Sequence, residues 1–192
     1  MRGMDRALCF LALSSAIVIL AGANVAQAES MGSWTATTPY PLQLAAAGCS
    51  VVGNYVYCVG GFDTNLNSYD DVYYAEVNAT GIGQWATGTV YPTAVDSESC
   101  VSVSATIYCV GGEDGQGALD SVYYTQIQPT TSAPGPWSEG AVYPEPTVVP
   151  ACVVSGSYLY CTGGFDSNGD EVSSSYYAPL GSPGIDQWTS TT

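Results

Sequence analysis

From residue 30 onward, apolar and polar side chains alternate in short runs and never settle into the three-to-four spacing of an amphipathic helix. Two such runs, Ser99 to Val103 and Thr106 to Val110, are rich in valine and read as strands. Only Ser104-Ala105 separates them. The matching midpoints elsewhere are Gly53-Asn54 and Gly156-Ser157, dipeptides that suit two-residue hairpin turns of the primed types. A polar loop follows each hairpin, and then a third alternating run, Ser121 to Ile127 in the middle unit. A fourth run starts at Trp137 and ends near Tyr143-Pro144, where proline closes the ladder. The pattern predicts an all-β chain.

The same order of elements returns three times. Tyr57-Cys58-Val59-Gly60-Gly61 recurs as Tyr108-Cys109-Val110-Gly111-Gly112 and as Tyr160-Cys161-Thr162-Gly163-Gly164, at shifts of 51 and 52 residues. Tryptophan keeps that beat at Trp34, Trp85, Trp137 and Trp188. A period near 50 residues points to a repeat architecture. The units span about 42–92, 93–144 and 145–192, with a leading strand at 32–41.

The cysteines change the picture of compartment and stability. A hairpin with a two-residue turn places Cys100 opposite Cys109 at a non-hydrogen-bonded position, where side chains lie closest across the ladder. Cys49 with Cys58 and Cys152 with Cys161 have the same spacing. Three facing pairs predict three local disulfides, each worth about 2–3 kcal/mol in the chain-entropy model. Disulfides belong to exported proteins. The first 28 residues agree. They hold basic Arg2 and Arg6, an apolar run from Leu8 to Ala21, and the small-residue cleavage site Ala26-Gln27-Ala28. These are the parts of a signal peptide.

Removing residues 1–28 takes away both arginines, in a chain with no lysine or histidine. Asp5 is the one acidic residue lost, so 16 of the 17 carboxyl side chains remain without any basic partner. Such a surface repels phosphate backbones and excludes nucleic-acid binding. No later stretch is long and apolar enough to span a bilayer.

The three units resemble kelch repeats. The marks are an apolar strand ending in Gly-Gly, an aromatic residue in the third strand and a Trp in the fourth. Here they are Gly60-Gly61, Tyr73 and Trp85; Gly111-Gly112, Tyr123 and Trp137; Gly163-Gly164, Tyr176 and Trp188. The resemblance covers about residues 32–192. It implies four-stranded antiparallel blades of a β-propeller, with glycines where strands crowd and Trp packed between blades. Closed propellers use about four to eight blades. Three units therefore make a partial propeller or half of a six-bladed ring, and self-association could close it. The cysteine pair in every unit is no general feature of the family.

Catalysis is poorly supplied. Without His, Lys, Arg or a free thiol after residue 28 there is no triad, Schiff base or arginine clamp. Some kelch propellers oxidise substrates with copper, but the histidine ligands such a site would want are missing. No cofactor is expected. Asp166-Ser167-Asn168-Gly169-Asp170-Glu171 alternates oxygen ligands as calcium loops do, yet it lacks the closing glutamate and reads as an Asx turn. What remains is recognition. The resemblance places the loops after Gly-Gly on the usual binding face, which makes Phe62, Asp63, Tyr69, Glu113, Asp114, Phe165 and Asp166 the candidates. Aromatic rings beside carboxylates suit a sugar or a cationic partner. The expectation is a secreted or cell-surface, non-catalytic module that recognises a protein or carbohydrate. A carboxylate-based glycoside hydrolase is the alternative.

Overall fold

The computed structural model describes residues 33–181 and 184–191. The expected signal peptide lies outside them. The chain divides into a unit ending at Thr35 and a second unit, Ala36–Thr192. In the first, Trp34 is 91% exposed. No strand forms over residues 33–41, so the expected leading strand at 32–41 is not seen there.

The second unit holds three antiparallel sheets in chain order. The first sheet comprises β1 (Gly48–Val52), β2 (Tyr55–Val59), β3 (Val72–Asn78), β4 (Gly81–Ile82) and β5 (Ala86–Thr87). The second has β6 (Ser99–Val103), β7 (Thr106–Val110), β8 (Val122–Gln126) and β9 (Ser138–Glu139). The third has β10 (Ala151–Ser155), β11 (Tyr158–Thr162), β12 (Ser175–Gly181), β13 (Gly184–Ile185) and β14 (Thr189–Ser190). Each sheet is one blade. Outer strands β5, β9 and β14 have only two residues and start just after the Trp, and β5 and β9 do not run on to Tyr91-Pro92 and Tyr143-Pro144 as expected. The shortening has a cause in the next blade. Tyr91 and Tyr143 leave the ladder to stand edge-on against Trp137 and Trp188, with centroids 4.8 Å apart in both cases.

The hairpin register is the one the turns dictate. Cys49 pairs with Cys58, Cys100 with Cys109 and Cys152 with Cys161, each with Cα atoms 4.1 Å apart and a disulfide between them. The first turn residue has positive φ in all three hairpins: Gly53 at 59°, Ser104 at 53° and Gly156 at 58°. Serine bears a Cβ penalty there that glycine avoids, about 1–2 kcal/mol. Ser104→Gly should therefore raise the thermal midpoint by a few degrees. Gly53→Ala and Gly156→Ala should lower it, although neither Cβ would meet an atom within 4 Å. A scanning-calorimetry series would check the opposite signs.

Two cores form between blades, each from the front of one sheet and the back of the next. Tyr57, Val59 and Val72 of the first blade pack on Val95, Ile107 and Cys109 of the second. Tyr108, Val110 and Val122 of the second pack on Leu159, Cys161 and Ala178 of the third. Backbone bonds repeat alongside. Gly61 N–H donates to Val95 O and Val95 N–H to Tyr69 O; Gly112 N–H donates to Thr147 O and Thr147 N–H to Leu119 O.

Candidate functional site

The Gly-Gly pairs turn the chain out of the second strand of each blade into loops 62–69, 113–119 and 165–172. Positive φ at both glycines makes this exit possible, for example 60° at Gly60 and 102° at Gly61. The loops lie side by side. The first and second share a cleft of about 410 Å³ that includes Phe62, Leu66, Ser68, Asp96, Glu113 and Gln116. The second reaches the third, since a Cβ on Gly117 would lie 3.6 Å from Ser167 Oγ.

Phe62 and Glu113 thus come together at one cleft. Phe165 stands 40% exposed in the third loop, away from that cleft. Three of the other candidates have structural work. Asp63 Oδ1 accepts the N–H groups of Asn65 at 2.8 Å and Asn67 at 3.0 Å, and Oδ2 accepts Tyr69 OH at 3.3 Å. The bonds from Asn67, backbone and side chain, and then those from Asn65 hold its carboxyl at about 2, well below the usual range. Asp114 accepts Gln116 N–H at 2.9 Å, and Asp166 accepts Asn168 N–H at 2.8 Å and Asp170 N–H at 3.0 Å. The same bonds lower the Asp166 pKa. The aspartates after Gly-Gly therefore shape their loops. Asp63→Ala should speed amide exchange at Asn65 and Asn67 by at least about tenfold while leaving the blade strands protected; unchanged exchange at those two amides would contradict the assignment.

Two carboxylates of the second repeat, Asp96 and Glu98, stand outside the residues the repeat pattern marks. Asp96 is 3% exposed and accepts Ser68 Oγ at 2.7 Å and Ser97 Oγ at 2.9 Å. Its backbone pairs with Glu113, so both carboxylates meet at one cleft. Burial first, then the charges of Asp96 and Asp114, raises the Glu113 pKa. Glu98 is 6% exposed. Its Oε1 accepts Gly48 N–H at 3.1 Å across the first blade boundary, and Oε2 has no partner. Burial lifts its carboxyl to about 8. The signal for both lay in the repeat. Ala45 and Ala47 in the first unit, and Val148 and Pro150 in the third, occupy the equivalent places. A carboxylate that breaks a repeat marks a place where one unit differs in chemistry.

Among the described residues no group of three or more His, Cys, Asp or Glu side chains could hold a metal ion. No helix among them is long and apolar enough to cross a membrane.

No family model matches the chain. The chain is 30% identical to the kelch-like protein terF of Aspergillus terreus over an alignment of 129 residues, which takes in 58% of this chain and 27% of that protein. Its fold is similar to that of YjhT, a propeller, with a TM-score of 0.65 and 12% identity over 83% of this chain and 48% of that one. The chain thus spans about a quarter of the one relative and about half of the other.

Proposed function

We propose that this chain, whose repeats are kelch-type β-propeller blades, works by contact: it binds a protein or carbohydrate partner through the loop face and converts nothing. The observation that carries this reading is the cleft between the first two blades. Phe62 and Leu66 supply apolar surface beside Ser68, Asp96, Glu113 and Gln116. A ring next to carboxylate and amide groups matches the alternating apolar and hydroxyl faces of a sugar, or a lysine or arginine side chain. The kelch-like relative supports a role in protein binding. Three disulfides fit an oxidising compartment and hence export to the cell surface or medium.

One observation favours the second reading, glycoside hydrolysis. Asp96 and Glu113 share the cleft, and Glu113 has a raised pKa as a general acid requires. One set of titrations tests for the bound partner, and product analysis then separates binding from hydrolysis. Calorimetry of the disulfide-bonded chain against a panel of neutral hexasaccharides and a Lys/Arg-rich peptide should give a saturable heat with one class. Phe62→Ala with Glu113→Gln should weaken it at least about tenfold without shifting the thermal midpoint by more than a few degrees. Binding that survives both substitutions would place the site elsewhere.

A further inference from the structure

The three blades are built alike, and the two ends of the arc are left with matching, unused halves of the blade-to-blade interface. At each internal boundary four backbone bonds recur. At the first they run from Tyr91 N–H to Asp70 O, Val95 N–H to Tyr69 O, Gly61 N–H to Val95 O and Ser97 N–H to Ala46 O. At the second they run from Tyr143 N–H to Asp120 O, Thr147 N–H to Leu119 O, Gly112 N–H to Thr147 O and Val149 N–H to Ser97 O. The repeat carries the same groups onto both ends. On the third blade they are Ser173 O, Val172 O, Gly164 N–H and Val149 O. On the first blade they are the N–H groups of Tyr40, Leu44 and Ala46, and Leu44 O. Among the described residues none of these eight groups has a backbone partner.

The side chains tell the same story. In the first blade Tyr55, Tyr57 and Tyr74 form a ring ladder whose centre, Tyr57, is 1% exposed beneath the second blade. Tyr158, Tyr160 and Tyr177 repeat that ladder on the third blade, with Tyr160 and Tyr177 stacked at 5.8 Å. There Tyr160 is 38% exposed and the neighbouring Val153 60%. The first blade's back is bare in turn. Val56 is half-buried where its equivalents Ile107 and Leu159 are fully buried. Glycines mark the same boundary. A Cβ on Gly111 would lie 2.5 Å from Thr147 O of the next blade, while a Cβ on Gly163 would find nothing closer than 3.6 Å. The space an incoming blade would fill is open at Gly163.

From these groups we infer that the front of the third blade docks the back of the first blade in a second copy of this chain, and that two copies close into a six-bladed ring. Leu44 of the second copy would stand at Gly164 and Val172 as Val95 stands at Gly61 and Tyr69. The pairing is reciprocal, so a twofold axis satisfies both ends at once and leaves no open edge. Six blades lie within the usual propeller range. The inference is independent of the loop-face reading, because no loop-face side chain takes part.

Native mass spectrometry and sedimentation equilibrium of the disulfide-bonded chain at micromolar concentration test it. The expected mass is that of two chains. Tyr160→Glu should weaken the pairing at least about 100-fold, since it buries a charge at the centre of the interface. Val142→Glu, at a residue 53% exposed that lies outside the third blade's front, should leave it intact. Circular dichroism confirms that each variant folds, and Val153→Glu replaces Tyr160→Glu if that variant does not. A wild-type monomer, an open-ended series of masses, or a dimer indifferent to charge at position 160 or 153 would each overturn the proposal.

Discussion

Replacing Glu98 by Gln is expected to raise stability at pH 7 by on the order of 3 kcal/mol and to flatten its dependence on pH between about 4.5 and 8. The cause is burial. Glu98 sits at the first blade boundary with one oxygen bonded to Gly48 N–H and the other unpartnered. Desolvation holds its proton on up to about 8, and the nearby Asp96 charge adds to the effect. The sign follows from proton counts. Between the unfolded value of 4.5 and the folded value of about 8, the folded state holds a proton that the unfolded state has released. Stability is therefore greatest below the unfolded value and falls by up to about 1.4 kcal/mol per pH unit as pH rises through the window. Glutamine keeps the acceptor for Gly48 and cannot ionise. Glu113, also raised, works in the same direction. Asp63 and Asp166 oppose it at lower pH. Their pKa values are depressed, so what they contribute is present above the ordinary carboxylate range and is lost as pH falls through their folded values, which for Asp63 is about 2. The whole chain should thus be most stable in mildly acidic medium. Thermal midpoints at half-unit pH intervals, wild type beside Glu98→Gln, check this. Curves that stay parallel from pH 5 to 8 would rule out Glu98 as the source.

The second large effect separates three glycines that look identical in sequence. Gly60→Ala and Gly111→Ala are expected to destabilise by about 3–5 kcal/mol, as overpacking against a rigid backbone does. Each combines positive φ with a Cβ that would overlap a carbonyl of the following blade, Val95 O or Thr147 O. Gly163→Ala has the same backbone strain, with φ at 65°, but no such obstruction. Its cost should stay near 1–2 kcal/mol. Measuring all three in a Tyr160→Glu background restricts the comparison to neighbours within one chain. Equal losses at the three positions would mean that backbone strain alone, and no neighbouring blade, explains the Gly-Gly signal.

The repeat made the skeleton readable. The turn dipeptides set the hairpin register, the register set the cysteine pairs, and Gly-Gly located the loops. Each of these depends on residues within ten positions of one another. What stayed hidden depends on the neighbouring blade. The outer strands are short because Tyr91 and Tyr143 turn aside to meet Trp137 and Trp188, a contact between units that no single-unit pattern displays. The binding candidates divided for a similar reason. Asp63, Asp114 and Asp166 form the letters of an acidic surface but serve their own loops. Asp96 precedes the strand and has no place in the strand pattern, yet a second loop folds over it. Comparing repeats for departures, rather than for agreement, would have singled out Asp96 and Glu98.

The measurement that bears most directly on contact without conversion is product analysis on the binding sample itself. The disulfide-bonded chain is held with the hexasaccharide panel and the Lys/Arg-rich peptide at pH 5 and pH 7, and the recovered ligands are weighed by mass spectrometry. A bound ligand recovered intact is the expected result, with binding lost in the Phe62→Ala, Glu113→Gln variant. Shortened oligosaccharides that accumulate with wild type and vanish with Glu113→Gln alone would contradict it.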